Sequence, residues 1–356
     1  MDSTPRNQRN RGMRGPRKSG VREVAAATGL SVATVSRVLN NAASVRADTR
    51  NRVLRAMKEL GFAPNPMARA LSTRRTRTIA AVIPTLEHSI FARFLNAIEL
   101  ELASRGYALV IATTENDANL ELERSRALLD MGAEGLILSG ATHREDLLEM
   151  IARRDIPTLC TSIFQPDYRL PTIGYDNPHL GRNAINYLQS LGHRRIAVIH
   201  GPSGNNDRTA TRIEGVRAGT RETDEVTFFE TSLDVTGGTI VAQGILESDL
   251  GATAILCLSD VLALGALFAG ARAGVRIPRD LSVMGFDDLD WAAHCSPPLT
   301  TISLPNARMG RKCAAALVAR LDDGVELNGE RLPADIVVRG TTAAPAADQS
   351  RSEASL

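Results

Sequence analysis

The sequence predicts an α/β protein in which an N-terminal helix-turn-helix headpiece precedes a two-lobed body of doubly wound parallel sheets. From residue 78 onward, short β-branched runs alternate with stretches of helical period, the pattern of parallel sheets wrapped by helices. Before residue 64 the chain carries three short helical segments separated by glycine and serine punctuation. The 356 residues have a formal net charge of only +2. The first 77 are nevertheless rich in Arg and Lys while the rest is close to neutral or mildly acidic, as when a polyanion-binding module is joined to something else.

Residues 1–18 are too polar and too rich in Gly, Pro and Arg to pack, and read as a disordered basic arm. The headpiece spans 19–63. Its alanine-rich run Val21–Thr28 has good helix propensity, opens at Ser19 or Gly20 and stops at Gly29, which can take the positive φ of a tight turn. Ser31 stands where an N-cap belongs. The helix after it carries Val35 and Val38 on one face and Val32, Ala33, Ser36 and Arg37 on another. The second face is small, polar and basic, as major-groove reading requires: Val32 and Ala33 let the backbone approach, and Arg37 can fork onto guanine O6 and N7. Ser31, Thr34, Ser36, Asn40 and Thr49 carry hydroxyl or amide groups suited to phosphates. An ordinary amphipathic hairpin has the same periodicity, but a third helix over Arg50–Leu60, ended at Gly61, favours the headpiece.

Residues 64–77 form a hinge and linker: Pro64–Arg75 is a short helix-capable piece between a proline break and a basic stretch. Helices under about 12 residues are marginal alone, so this one is expected to order only against a partner. Asn65, Ala68 and Leu71 are the DNA-contact candidates within it. Gly29–Asn40 (GLSVATVSRVLN) and Glu59–Leu71 (ELGFAPNPMARAL) resemble the lactose/galactose repressor family, LacI/GalR. The resemblance implies a hinge helix that folds on the operator, pairs with its twin across a dimer and wedges Leu71 into the minor groove. Apolar wedges of this kind unstack a base step and kink the duplex.

In the body, the strand candidates Thr78–Pro84, Tyr107–Thr113, Gly135–Ser139, Thr158–Thr161 and Thr172–Tyr175 form one sheet. Arg195–His200, Val226–Phe229, Ala254–Leu258 and Val283–Phe286 form a second. Helices such as Phe91–Ser104 and Asn177–Leu191 run between them. Leu299–Ser303 and Ile336–Arg339 are expected to return toward the first sheet. The body then covers 78–342, with lobe 1 at about 78–175 plus 304–342, lobe 2 at about 176–303, and a disordered tail at 343–356. Ligands of open α/β sheets bind outside the carboxyl ends of the strands, which here face one another across a cleft. The resemblance extends over roughly residues 20–342, through Gly192–Ala197, Arg212–Val216, Ile277–Asp288 and Pro298–Ile302 among others. It implies a periplasmic-binding-protein-like body that binds an effector and dimerises.

Asp287 follows a strand and Arg212 is expected to start a helix after the His200 loop, so that the two can bind hydroxyls or a carboxylate by charge-assisted hydrogen bonds. By resemblance Phe91, Ser139 and Ser259 line the same cavity, with Asp176 and Ser162 as further candidates. Three positions depart from the family: Leu233 stands where an aromatic often stacks on the ligand, Ser259 where asparagine is frequent, and Ser162 where an aspartate often follows its strand. A hydroxyl-rich sugar therefore finds fewer acceptors here than in sugar-binding members. Trp291 does not replace the missing stacking partner.

The four cysteines Cys160, Cys257, Cys295 and Cys313 are far apart, and Cys160 and Cys257 lie in apolar strand-like runs; all four read as reduced thiols and not as metal ligands. The most apolar stretch, Ala252–Val275, is interrupted by Asp260 and Arg272 and reads as a strand then a helix, not a membrane span. No GxGxxG after a strand, GxxxxGK[ST], HExxH or GxSxG is present, and the six histidines are scattered, with His193 in a turn. An enzyme reading thus lacks its signatures. A periplasmic sugar carrier shares the two-lobed body but needs an export signal and no basic headpiece. The expectation is a cytoplasmic, nucleoid-associated, non-enzymatic regulator without cofactor or metal. It is expected to bind double-stranded operator DNA as a homodimer, the tail lacking the apolar heptads of a tetramerising coiled coil, and to answer to a small-molecule metabolite whose sense, inducing or co-repressing, stays open.

Overall fold

A computed structural model describes residues 20–40, 45–63, 70, 73 and 75–346. The basic arm, Asn65, Ala68, Leu71 and the tail beyond 346 lie outside the described residues. The chain divides into two units, residues 1–76 and 77–356.

The first unit contains α1 (Val21–Thr28), α2 (Val32–Asn40) and α3 (Ala47–Glu59), the last starting three residues before the expected Arg50. Gly20 N–H donates to the Glu23 carboxylate at 2.9 Å, which fixes the start of α1. Gly29 ends it at φ 63°, with its N–H and that of Leu30 bonded back to the last carbonyls of the helix. Ser31 Oγ accepts from Thr34 N–H at 3.1 Å, so α2 has the serine cap its sequence implies. Val24, Val35, Val38 and Val53 are buried together with Ala25 and Ala56. Short side chains allow three short helices to close on one another around a small core.

In the second unit, β1 (Thr78–Ile83), β2 (Ala108–Thr113), β3 (Gly135–Ser139), β4 (Thr158–Thr161), β5 (Thr172–Gly174) and β11 (Glu330–Arg331) form a six-stranded sheet in the order β11-β5-β4-β3-β1-β2, all pairs parallel. A second parallel sheet, in the order β7-β6-β8-β9, contains β6 (Arg195–His200), β7 (Glu225–Glu230), β8 (Ala254–Cys257) and β9 (Ser282–Met284). The central strands β1, β3, β6 and β8 are buried on both faces, which is why they read as unbroken β-branched and leucine runs. In each sheet the chain reverses its direction of winding beside a central strand, so the loops leaving neighbouring strands part and open a crevice at the carboxyl ends.

Helices α4 (Ser89–Ser104), α5 (Ala118–Asp130), α6 (Glu145–Arg154) and α11 (Asn306–Asp323) belong to the first lobe, and α7 (Asn177–Ser190), α8 (Asp207–Gly219), α9 (Val235–Glu247) and α10 (Asp260–Arg272) to the second. α7 and α8 approach closely at Gly181 and Gly215, where an added Cβ would strike the carbonyls of Arg212 and Pro178 on the opposite helix. Arg212 is therefore not at a helix start, as expected from sequence. It lies in the second turn of α8, drawn against α7 by this glycine contact.

The expected return of Leu299–Ser303 and Ile336–Arg339 to the first sheet is corrected. β10 (Thr301–Ser303) pairs antiparallel with β12 (Asp335–Val337), and bridges at Met284–Thr300 and Asp287–Ser303 set β10 beside the second sheet. The segment that joins the first sheet is the two-residue β11. Residues 335–343, expected in the first lobe and tail, run along the second: Val283 N–H donates to Thr341 O at 2.8 Å. His193 links to Ala343 O at 2.9 Å through Nε2 and to Thr253 Oγ1 at 2.9 Å through Nδ1, and burial lowers its imidazole pKa. It stitches the C-terminal run onto the sheet. The chain thus crosses between lobes near residues 175, 304 and 333.

Candidate nucleic-acid interface and interlobe cleft

On α2 the packing leaves one face outward. Val35 is wholly buried and Val38 is 4% exposed, whereas Val32 is 47% exposed, and Ala33 and Arg37 are also exposed. An apolar valine left in water at the start of this helix gains nothing for the fold of the unit. Ser31 is exposed and its Oγ lies 2.9 Å from Thr34 Oγ1, while Ser36 and Thr49 are half-buried. Asn40 ends α2. The structure places Val32, Ala33, Thr34, Ser36 and Arg37 on α2, with Ser31 as its cap.

The cleft is built from strand ends. Pro84 and Thr85 follow β1, Ser162 follows β4, Leu233 comes shortly after β7, Leu258 and Ser259 follow β8, and Asp287 follows β9; all line a cavity of about 100 Å³. Phe91, Phe94, Tyr175, Arg208, Arg212, Asn306 and Met309 complete much of the wall. Ser259 donates to Asp287 Oδ2 at 2.8 Å, and Arg212 Nη1 lies 4.0 Å from Asp287 Oδ1. Arg212 is held from behind: its Nε donates to Asn177 Oδ1 at 2.8 Å, its Nη1 donates to Leu258 O at 3.1 Å, and its guanidinium lies 4.0 Å over the Phe286 ring. Asn177 in turn donates to Ser162 O at 2.9 Å. A guanidinium fixed in this way presents its charge to the cavity in one orientation.

Burial pushes the Asp287 carboxyl up to about 7, against the pull of Arg212, and the buried Asp260 carboxyl behind it up to about 6. Asp287 has φ 129° and Ser162 φ 66°, conformations that cost about 1–3 kcal/mol each and that cluster at ligand sites. Phe91, Arg212, Leu233, Ser259, Asp287 and Ser162 therefore meet in one place. Ser139 does not. Its Oγ is buried without a hydrogen-bond partner and faces a smaller polar pocket, which the Asn116–Arg208 contact walls off from the main cavity. Asp176 accepts from His179 N–H at 2.9 Å as the cap of α7 and is absent from the lining.

Sequence reasoning missed Asp207 and Arg208. Arg208 Nη1 donates to Asp207 Oδ1 at 2.9 Å and its Nη2 to Asn116 Oδ1 at 2.7 Å, while Asp207 Oδ2 accepts from Ala141 N–H at 2.6 Å. These bonds clasp the second lobe to the first beside the cavity. A second clasp runs from Arg93 on α4 to Asp288 O and the Asp290 carboxylate. The only signal for Asp207 was its place in the first turn of a helix after a strand end.

Cys160 also has neighbours that its apolar strand did not announce: His143 Nε2 lies 3.4 Å from Sγ, and His143 Nδ1 lies 2.8 Å from Glu121. The thiol is fully buried and burial raises its pKa, so the thiolate needed for nucleophilic chemistry is disfavoured. Trp291 packs at the edge of the second-lobe core, away from the cavity. Among the described residues, no group of three or more His, Cys, Asp or Glu could hold a metal ion, and no helix is long and apolar enough to cross a membrane.

Residues 21–65 match the family model of bacterial regulatory proteins, lacI family, and residues 185–342 match that of the periplasmic binding protein-like domain. The HTH-type transcriptional repressor CytR of Escherichia coli (strain K12) is 32% identical over 328 residues, covering 91% of this chain and 96% of its own. This chain belongs to the LacI family. The lac repressor dimer bound to operator and an anti-inducer superposes on this LacI-family chain with a TM-score of 0.81, at 26% identity and covering 92% of this chain and all of its own. A LacI family regulator from Enterococcus faecium with bound ribose reaches 0.67 at 26% identity, covering 75% and 99%. These LacI-family relatives are transcriptional regulators, so the protein is a DNA-binding regulator and not an enzyme.

Proposed function

We propose that this LacI-family protein represses transcription by binding a near-palindromic operator as a homodimer, and that a sugar or related metabolite in the interlobe cleft switches it. The observation that carries the reading is the outward face of α2, where exposed Val32, Ala33 and Arg37 stand over a packed three-helix core. The homodimer is supported by apolar side chains left exposed on both lobes: Leu100 and Ile111 on the first, Ile240 and Phe268 on the second. The ribose-bound relative and the fixed Arg212–Asp287–Ser259 set support an effector in the cleft. In this reading the protein works in the cytoplasm. An effector that binds the operator-competent arrangement of the lobes more tightly strengthens DNA binding, and one that prefers the other arrangement releases it.

The test is selection of genomic DNA fragments by the full-length protein at about 0.15 M salt with excess competitor, where non-specific binding is weak. A shared inverted repeat of roughly 16–20 base pairs is expected; enrichment without any symmetric site would refute the dimeric operator. Leu71→Ala is expected to weaken the complex on that repeat while sparing random DNA. Equal loss on both DNAs removes Leu71 as a minor-groove wedge.

A further inference from the structure

Three helices of the second lobe point their N-termini at the cleft: α8 through Asn206, Arg208 and Thr209, α9 through Ser232, Leu233 and Asp234, and α10 through Ser259 and Val261. Such ends attract anions, because free N–H groups and the helix dipole converge there. Here each already carries a carboxylate of its own. Asp207 opens α8, Asp234 caps α9 and accepts from Gly237 N–H at 2.7 Å, and Asp260 opens α10. The capping bonds hold the Asp234 pKa below the ordinary carboxylate range.

The mouth of the cleft repeats the sign. Glu87, Glu115 and Asp234 line it together with His88, and neither lysine nor arginine stands among the lining residues. Burial lowers the pKa of His88, which leaves it neutral at pH 7. Of the two guanidiniums deeper in, Arg208 donates to Asp207 and Asn116, and Arg212, held by Asn177, Leu258 O and Phe286, faces the cavity beside the Asp287 carboxyl. A phosphate needs donors with charge to spare; here each guanidinium already stands beside a carboxylate, and the mouth adds three carboxylates with no lysine or arginine to balance them. Its apolar walls, Ile90, Phe91, Leu233, Leu289 and Met309, suit the flat face of a neutral ring.

We infer that the cleft selects an uncharged effector and rejects phosphorylated or carboxylated forms of the same molecule. The inference rests on the effector site proposed above. It makes Glu87, Glu115 and Asp234 specificity determinants at the mouth, acting by repulsion, with Asp234 also occupying the helix end where an anion would sit.

The test incubates full-length protein with the small-molecule fraction of a bacterial lysate, identifies what is retained by mass spectrometry, and measures calorimetrically the matched pairs ribose and ribose 5-phosphate, glucose and glucose 6-phosphate, adenosine and adenosine monophosphate. Retained compounds are expected to be uncharged at pH 7.5. Wherever a pair binds, the phosphorylated member is expected to be weaker by at least about tenfold, since placing like charges together costs more than 1.4 kcal/mol. A Glu87→Gln, Glu115→Gln double variant is expected to narrow that gap. Retention of a phosphate ester or carboxylate, or a gap the double variant leaves unchanged, overturns the charge rule while leaving the effector site standing. Retention of nothing, with no binding of any probe, overturns the effector site itself and the inference with it.

Discussion

Asp287 has a carboxyl that burial lifts to about 7, far above the unfolded value near 3.9. The folded protein therefore holds this proton more tightly than the unfolded chain does. Its contribution to stability is full below about pH 4 and is lost as pH rises toward 7. Asp287→Asn is expected to gain melting temperature relative to the parent between pH 5 and pH 8, as read by thermal denaturation; a difference independent of pH would place the titration elsewhere. On α2, Arg37→Ala is expected to cost about 1–3 kcal/mol on the selected operator and little on random DNA, measured by gel shift. Both residues were legible in the sequence, Arg37 from helical periodicity and Asp287 from its place after a β-branched run. Ser139 was misplaced because its distance from the main cavity depends on Arg208, a side chain reaching across from the other lobe.

Among the elements, α8 has the most to do. Glycine contacts draw it against α7, which aligns Arg212 with Asn177, and its first turn carries the Asp207–Arg208 clasp. Asp207→Asn keeps the shape but removes a charge bonded both to Ala141 N–H and to Arg208, a loss of about 1.5–3 kcal/mol for charge-assisted bonds. The expected result is a lower melting temperature and a larger radius of gyration in solution scattering without effector; an unchanged radius would mean that the Arg93 clasp alone keeps the lobes together. Central strands were visible because burial on both faces demands continuous apolar runs. β11 was not, since Glu330 and Arg331 have no strand-like pattern and become a strand only by lying against β5. β10 and β12 were strands assigned to the wrong partner, for periodicity reports a pleat and not the neighbour it pairs with.

For the molecule as a whole, the exposed apolar side chains Leu100, Ile111, Ile240 and Phe268 carry the assembly prediction. Phe268→Asp, a charge placed on an exposed face of α10, is expected to shift the sedimenting species from twice the chain mass to one, with loss of operator binding at the same protein concentration. A dimer that persists would move the interface off the second lobe. The two-lobed plan was readable from the alternation of strand and helix, whereas the third crossing was hidden: nothing local in residues 335–343 records that they border the second sheet. That crossing governs how such proteins can be recombined. A fragment covering only residues 176–303 leaves out the border run that His193 and Val283 bind. A chimera spliced at two points would give one parent's sheet the other parent's selvage, and keeping each lobe whole requires a third splice near residue 333.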